Sequence, residues 1–294
     1  MYPLNYIEPV FRPPSEWQSL ILQVTNGCSW NKCSFCNMYT DSQKLFQPKP
    51  LEQIDQELSL IAASALPVHR VFLADGDAMT LSSRRLMAIL RLINLHLPLA
   101  RRISAYCLPR NLKNKSVTEL KELRQLGLSL LYVGCESGDD ELLRIISKGE
   151  TYDSSLKALQ KMKSANIKSS VMVLNGLGGR ELSERHAQQS ARLMNEVQPD
   201  YLSTLVVEFP YGNQRFKENF GGRWELLSKT ELFHEMAVFI QNLTLESTVF
   251  RSDHESNNLM LKGVLGKDKL KLLDTVNLAI QRRGIIPLRE ERFA

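Results

Sequence analysis

Three cysteines lie close together near the start of the chain, in the segment TNGCSWNKCSFCNMY. Four residues separate Cys28 from Cys33, and two separate Cys33 from Cys36. Thiolates are soft ligands that bind zinc and iron–sulfur clusters. A structural zinc ion needs a fourth ligand, and the nearest histidine, His69, lies 33 residues beyond Cys36. The spacing therefore favours a four-iron cluster whose fourth iron keeps an open position, as a catalytic centre requires.

The remaining cysteines and the first residues of the chain bear on its compartment. Cys107 and Cys135 fall at the ends of short apolar segments, where we expect small buried residues rather than ligands. Five cysteines, three of them within nine residues, favour thiolate ligands in a reducing compartment over disulfides. The N-terminal segment MYPLNYIEPVFRPPSEW lacks the basic start and apolar core of a signal peptide. We therefore expect a cytoplasmic location.

Composition narrows the class of protein. Hydrophobic residues make up 43% and charged residues 23% of the chain, as in ordinary globular proteins. No apolar run approaches the roughly 18 residues of a membrane span. The net charge of +5 is spread as mixed signs, with short basic patches at 101–102 and 110–115. This pattern favours a solvated, mildly positive surface, but it does not exclude nucleic acid as a partner.

The elements that must position the cysteines follow a repeating pattern. Short β-branched or apolar runs alternate with amphipathic stretches. Neighbouring parallel strands need long crossover connections, for which helices serve. The pattern predicts an α/β fold, an open (β/α)6 partial barrel of TIM-like type. The six strand-like runs are 19–25, 71–75, 102–107, 128–134, 168–174 and 201–207.

The pattern changes after residue 207. An irregular segment is followed by two helix-like stretches with a polar loop between them. Ligand sites of parallel β/α folds gather at the carboxyl ends of the strands. We therefore expect residues 1–207 to form the barrel with its N-terminal lead-in. Residues 208–294 are expected to form a mostly helical extension that closes the barrel mouth.

With these motifs in order, residues 19–207 resemble the radical S-adenosylmethionine superfamily. The chain is similar to the branch that contains oxygen-independent coproporphyrinogen III oxidase, the tRNA methylthiotransferases and the Elongator catalytic subunit. The cysteine motif, with Phe35 before its third cysteine, carries this resemblance. The commonest family form has three residues, rather than four, between the first two cysteines. The resemblance implies a 4Fe-4S cluster on Cys28, Cys33 and Cys36 and bound S-adenosylmethionine.

Further cofactor contacts are implied by the same resemblance. The segment ADGD, which ends at Asp77, is similar to the Gly-Gly-Glu segment of the family, which meets the ammonium group of S-adenosylmethionine. Gly76 then allows a close backbone approach, and Asp75 or Asp77 accepts from the ammonium. A strand-ending acidic turn without a ligand is the alternative interpretation.

Two later segments are also similar to family motifs. The string GCESGDDELLRIISKG resembles the Glu-Ser-Gly segment of this branch, which implies that Glu136 binds the ribose hydroxyls and that Ser137 and Gly138 shape the turn. The segment VLNGLGGR stands where the family has a glycine-containing stretch beside the adenine, with Asn175 as a polar contact. A simple chain reversal is the alternative for this second segment.

The segment RSDHESNNLMLKG gathers polar residues just before an apolar run. We expect Arg251 to pair with an anionic group and His254 to exchange a proton with the substrate, because the arginine is permanently charged and histidine titrates near neutral pH. An ordinary polar loop is an equally good interpretation.

The resemblance implies a radical enzyme in which reductive cleavage of S-adenosylmethionine yields a 5′-deoxyadenosyl radical that abstracts hydrogen from a small-molecule substrate. Such an enzyme needs an electron donor such as flavodoxin or ferredoxin. Two alternatives stay open: a non-catalytic protein that binds an iron–sulfur cluster and S-adenosylmethionine, and a radical enzyme that modifies RNA.

Overall fold

The computed structural model describes residues 4–64, 66–210 and 212–282. Strands and helices alternate along the chain, which confirms the predicted α/β class. The strands are β1 Leu20–Gln23, β2 Thr25–Asn26, β3 Gln47–Pro48, β4 Arg70–Ala74, β5 Arg102–Cys107, β6 Leu128–Glu136, β7 Lys168–Asn175, β8 Tyr201–Val206, β9 Val249–Ser252 and β10 Leu261–Val264. The helices are α1 Leu51–Ala63, α2 Ser83–His96, α3 Val117–Gln125, α4 Asp140–Ile145, α5 Tyr152–Ser164, α6 Gly179–Val197, α7 Gln214–Asn219, α8 Lys229–Asn242 and α9 Lys269–Gln281.

Eight strands share one mostly parallel sheet, in the order β1-β4-β5-β6-β7-β8-β9-β10, and β2 pairs with β3 separately. All six predicted strand-like runs are strands of this sheet, so the predicted (β/α)6 partial-barrel order is confirmed. The described residues form two compact units. The first contains the residues up to Cys135 together with Ile146–Val171, and the second contains Glu136–Ile145 together with the residues from Met172 onward.

In the first unit, β1, β4, β5 and β6 lie side by side and parallel. On one face, Leu22, Leu73 and Ala105 occupy neighbouring positions across three strands, and none of them is exposed. Buried apolar side chains of this kind are expected where helices cover a parallel sheet. The opposite face includes polar groups such as Ser104 and Gln23, which are also buried.

The N-terminal lead-in is fixed to this unit by a buried acid. Glu16 is fully buried and accepts hydrogen bonds from Tyr132 Oη at 2.6 Å and Ser104 Oγ at 3.0 Å, and it pairs with Arg102. Burial alone would raise the pKa of Glu16, but hydrogen bonds from Ser19, Tyr132 and Arg102 outweigh burial and lower it. Glu16 therefore stays ionised in the folded protein at neutral pH.

In the second unit, β8 runs parallel to β9, and β9 is antiparallel to β10. The prediction of a polar loop between the two helices of the extension is therefore partly wrong, because Arg251 lies within strand β9. Short strands of four residues have too little periodicity to stand out in a polar sequence. Helices α7, α8 and α9 still make the extension mostly helical. Its last residues, 283–294, lie outside the described residues, and the predicted domain boundary at residue 207 stays a prediction.

No helix in the described part of the chain is both long enough and apolar enough to cross a bilayer.

Candidate functional site

The cysteine loop follows β1 and is closed at its base by the short antiparallel pair of β2 and β3. Asn26 reinforces this closure, because its side-chain amide donates to the carbonyl oxygens of Gln43 at 2.6 Å and Leu45 at 3.1 Å. The three cysteines are thus carried on a loop whose two ends are held together at the carboxyl end of a parallel strand.

Cys28, Cys33 and Cys36 are half-buried, and none of them forms a disulfide. Burial raises the pKa of the Cys28 thiol, against the lowering effect of the backbone amides of Asn31 and Trp30. Within the described residues, no three or more His, Cys, Asp or Glu side chains are grouped to hold a single metal ion. Ligands of a four-iron cluster bind separate irons, so they need not converge on one point. The donor set, three accessible thiols on one loop, fits such a cluster.

The loop is attached to the chain segment that follows α4. The indole Nε1 of Trp30 donates to the carbonyl oxygen of Ser147 at 2.8 Å. The backbone amide of Ser34 donates to the carbonyl oxygen of Ile146 at 2.9 Å. These bonds fix the middle of the loop, between the first and third cysteines.

Two cations add to this attachment. The guanidinium of Arg110 lies 3.7 Å from the ring centre of Trp30, and its Nε donates to Glu150 at 2.8 Å. The ammonium of Lys148 lies 5.8 Å from the ring centre of Phe35. Phe35 therefore packs beside a buried lysine in this structure, and its predicted cofactor contact stays a prediction.

Asp75 follows β4 and forms an ion pair with a lysine side chain. Its carboxylate lies 2.5 Å from the ammonium of Lys44, and both side chains are 0% exposed. Asp75 also accepts from the backbone amide of Gly76 at 2.8 Å and from Gln23 Nε2 at 3.4 Å. The sequence pattern did not reveal Lys44, which lies 31 residues earlier, because nothing in the sequence links two charges so far apart.

Asp77 has a different environment. Its carboxylate accepts a hydrogen bond from the hydroxyl of Ser29, which is the residue directly after Cys28. The side chain of Asp77 is fully buried. Burial raises the pKa of Asp77, opposed by hydrogen bonds from Ser29 and Asn111. The negative charge of Asp77 also contributes to raising the pKa of the Cys28 thiol. Among the acids after β4, Asp77 is bonded to the residue directly after Cys28, whereas Asp75 pairs with Lys44 near the other end of the same loop.

Gly76 owes its identity to packing. A Cβ at this position would lie 2.7 Å from the carbonyl oxygen of Gly27 and 2.9 Å from the ring of Tyr39. Real Cβ atoms essentially never approach so closely. The absence of a side chain therefore brings the segment after β4 against the start of the cysteine loop. Whether Gly76 also admits a ligand stays a prediction.

In the second unit, Glu136 ends β6 and is buried, with a left-handed φ of 63°. The next residue, Ser137, is fully buried, and its hydroxyl lies 2.8 Å from His186 Nδ1 and accepts from the backbone amide of Asp139 at 3.0 Å. Gly138 donates its backbone amide to Ser190 Oγ at 2.9 Å. The Glu-Ser-Gly turn is thus bonded to α6, and the hydroxyl of Ser137 serves that attachment.

An ion pair completes the attachment to α6. Arg185 donates to Asp139 at 2.9 Å, and Asp139 caps α4 by accepting from the amide of Leu142 at 2.8 Å. Burial would raise the pKa of Asp139, but the bonds from Arg185 and Leu142 outweigh it and lower the pKa. Sequence reasoning missed Arg185, His186 and Ser190. The one available signal was that His186 and Ser190, four residues apart, share a helix face.

Asn175 ends β7, is 4% exposed and borders a cavity within the second unit. Four neutral polar residues line the cavity, namely Asn175, Ser252, Asn257 and Asn258. The rest of its lining is apolar and consists of Val206, Leu232, Phe233, Met236, Leu259 and Leu261.

Arg251 and His254 are not among the residues that line this cavity. Arg251 is exposed on β9, next to the inward-facing Ser252, and its Nη1 donates to the carbonyl oxygen of Phe250 at 3.0 Å. His254 Nδ1 accepts from the backbone amide of Ser256 at 3.1 Å and lies 2.9 Å from Ser256 Oγ, so this nitrogen is engaged within its own loop. Their catalytic roles stay predictions.

Two known proteins are similar in sequence to parts of this chain. An uncharacterised protein of Methanocaldococcus jannaschii is 31% identical over 33% of this chain and 18% of its own. The heme chaperone HemW of Bacillus subtilis is 24% identical over 60% of this chain and 48% of its own. The chain therefore spans less than half the length of either relative.

The fold has a solved counterpart. Coproporphyrinogen III oxidase (HemN) from Escherichia coli, a radical S-adenosylmethionine enzyme, superposes with a TM-score of 0.56 at 16% identity, over 76% of this chain and 52% of that one. Residues 22–194 match the model of the radical S-adenosylmethionine superfamily. That match begins within β1, contains the three cysteines and covers more than half of the sequence. The chain belongs to the radical S-adenosylmethionine superfamily.

Proposed function

We propose that the protein is a radical S-adenosylmethionine enzyme acting on a small molecule. The observation that carries this proposal is the loop of three accessible thiols at the end of β1, in a chain of this superfamily. When bound, the cluster and S-adenosylmethionine supply one-electron chemistry that generates a 5′-deoxyadenosyl radical able to abstract a hydrogen atom. A one-electron donor such as flavodoxin or ferredoxin would reduce the cluster.

The residues of the chain would bind and orient these groups. Cys28, Cys33 and Cys36 would hold three irons of a 4Fe-4S cluster, which requires that each thiol lose its proton. Asp77 follows β4 and is bonded to Ser29 of the cysteine loop. Its carboxylate would accept a hydrogen bond from the ammonium of S-adenosylmethionine. Glu136 would accept from the ribose hydroxyls.

The test begins with anaerobic reconstitution of the full chain with iron and sulfide. We expect about four irons per chain in the wild type, and formation of 5′-deoxyadenosine on addition of a strong reductant and S-adenosylmethionine. Alanine at Cys28, Cys33 or Cys36 should abolish both. Cys107→Ala is the matched control, since this thiol lies at the end of β5 and is 2% exposed. A fully loaded wild-type protein that forms no 5′-deoxyadenosine would refute the enzyme proposal.

A second candidate is a binding protein without turnover, and the likeness to a protein named heme chaperone favours it. Such a protein would bind the cluster and S-adenosylmethionine without cleaving the S-adenosylmethionine. Titration with heme, followed by visible absorption, separates the two functions. A stoichiometric heme complex together with intact S-adenosylmethionine would support the binding protein, whereas S-adenosylmethionine consumption without heme binding would support the enzyme.

A further inference from the structure

The two acids after β4 have different partners, although the sequence presents them as equivalent. The carboxylate of Asp75 is bound to the ammonium of Lys44, with neither side chain exposed. Asp77 instead bonds to Ser29, the residue directly after Cys28, whereas Lys44 lies near the other end of the same loop. A carboxylate already paired with a buried ammonium has little to offer a second ammonium, because the new cation would be repelled by the first.

We propose that Lys44 is the permanent counter-ion of Asp75 and, through it, the positioning residue for Asp77. This inference rests on the proposed function, in which Asp77 receives the ammonium of S-adenosylmethionine. Lys44 is a positioning residue because it would act on the cofactor site through its contact with Asp75.

The contacts of Lys44 show how the positioning works. Its ammonium also donates to the carbonyl oxygen of Ile7 at 2.7 Å, and Gln23 Nε2 contacts both Ile7 and Asp75. These bonds keep Asp75 buried, two residues before Asp77. Without the ammonium, a buried charge would stand unpaired, and the strand-end segment would have to move to reach water.

Lys44 itself lies at the base of the cysteine loop, between β2 and β3. The side chain of Asn26 bonds to the carbonyl groups of Gln43 and Leu45, on either side of Lys44. The side chain of Lys44 then reaches the end of β4. One residue therefore links the base of the cysteine loop to the turn that carries Asp77, so it sets the spacing between the proposed cluster and the acid.

The experiment compares charge removal in one and in both partners. The variants are Lys44→Met, Asp75→Asn, the double variant Lys44→Met/Asp75→Asn, and Asp77→Asn. In each, iron content is measured after reconstitution, and the Kd for S-adenosylmethionine is measured by equilibrium binding. Thermal unfolding of the metal-free protein reports on folding separately.

We expect Lys44→Met to raise the Kd about tenfold or more, and the double variant to return it to within about threefold of wild type. Asp77→Asn should raise the Kd without rescue by Lys44→Met, because Asp77 meets the ligand itself. If Lys44→Met does not fold, the comparison is made between Asp75→Asn and the double variant. The double variant should then bind S-adenosylmethionine more tightly than Asp75→Asn does.

Lys49→Met is the matched control. Lys49 forms another buried ion pair, 2.7 Å from Glu57, five residues along the chain from Lys44. It should lower the unfolding temperature and leave the Kd unchanged. The proposal is overturned if Lys44→Met binds S-adenosylmethionine like wild type, if the double variant binds no better than the single variants, or if Lys49→Met weakens binding equally. Failure of the wild type to bind S-adenosylmethionine would instead refute the proposed function.

Discussion

Replacing Gly138 by alanine tests whether the Glu-Ser-Gly turn depends on close contact with α6. A Cβ at this position would lie 2.6 Å from the carbonyl carbon of Gln189 and 2.8 Å from the backbone nitrogen of Ser190. These are backbone atoms within a helix, so they cannot rotate away as a side chain would. The carbonyl oxygen of Gln189 would lie closer still, so the turn or the helix must move by more than about 0.4 Å to restore a 3.0 Å separation from all three atoms.

The expected effects have two parts. Overpacking a filled contact costs about 1–3 kcal/mol of unfolding free energy, which corresponds to a fall in unfolding temperature of about 2–12 °C. Displacement of Glu136, two residues away, should also weaken the proposed ribose contact. Since a 1 Å misplacement lowers rates by about 100-fold, we expect roughly a tenfold fall in 5′-deoxyadenosine formation.

Gly222→Ala provides a matched control. Gly222 has a left-handed φ of 80°, and among the described residues no atom beyond its two chain neighbours lies within 4 Å of an added Cβ. The backbone preference alone costs about 1–2 kcal/mol, so this variant should be destabilised comparably and still form 5′-deoxyadenosine at the wild-type rate. The reasoning is refuted if Gly138→Ala matches wild type in both unfolding temperature and product formation, or if the two variants lose activity equally.

Two further predictions concern the first unit. The pKa of Glu16 is lowered in the folded protein, so its stabilising contribution is present above its ordinary pKa of 4.5 and is lost as the pH falls through the lower folded value. Urea unfolding of the metal-free protein should show stability falling below about pH 4.5, with a shallower fall in Glu16→Gln; equal slopes would contradict this. Arg110→Lys should speed iron release from the reconstituted protein by several-fold, because lysine cannot both stack on Trp30 and bond to Glu150. Unchanged release would show that this attachment does not hold the loop.

Local patterns in the sequence were sufficient for the fold class. The runs at 102–107 and 168–174 coincide with β5 and β7 within one residue. In β7, buried residues alternate with more exposed ones, which is the two-residue period of a strand. Helix α5 was missed, although Leu159 and Met162 are buried on it at helical spacing. Strands β9 and β10 were missed because four residues, partly polar, carry little periodicity.

The sequence by itself determined which residue types could do chemistry: three thiols at a cluster-like spacing, and acids directly after a strand. Their order along the chain also indicated the family. Only the tertiary structure decided which acid has a partner, because the pairing of Asp75 with Lys44 joins positions 31 residues apart. The tertiary structure likewise brings the hydroxyl of Ser137 into hydrogen-bond contact with His186, which lies 49 residues away in the sequence. Hydrogen bonds and ion pairs act over a few ångströms of space, whatever the separation in sequence, so the roles of neighbouring residues become distinct only when the chain has folded.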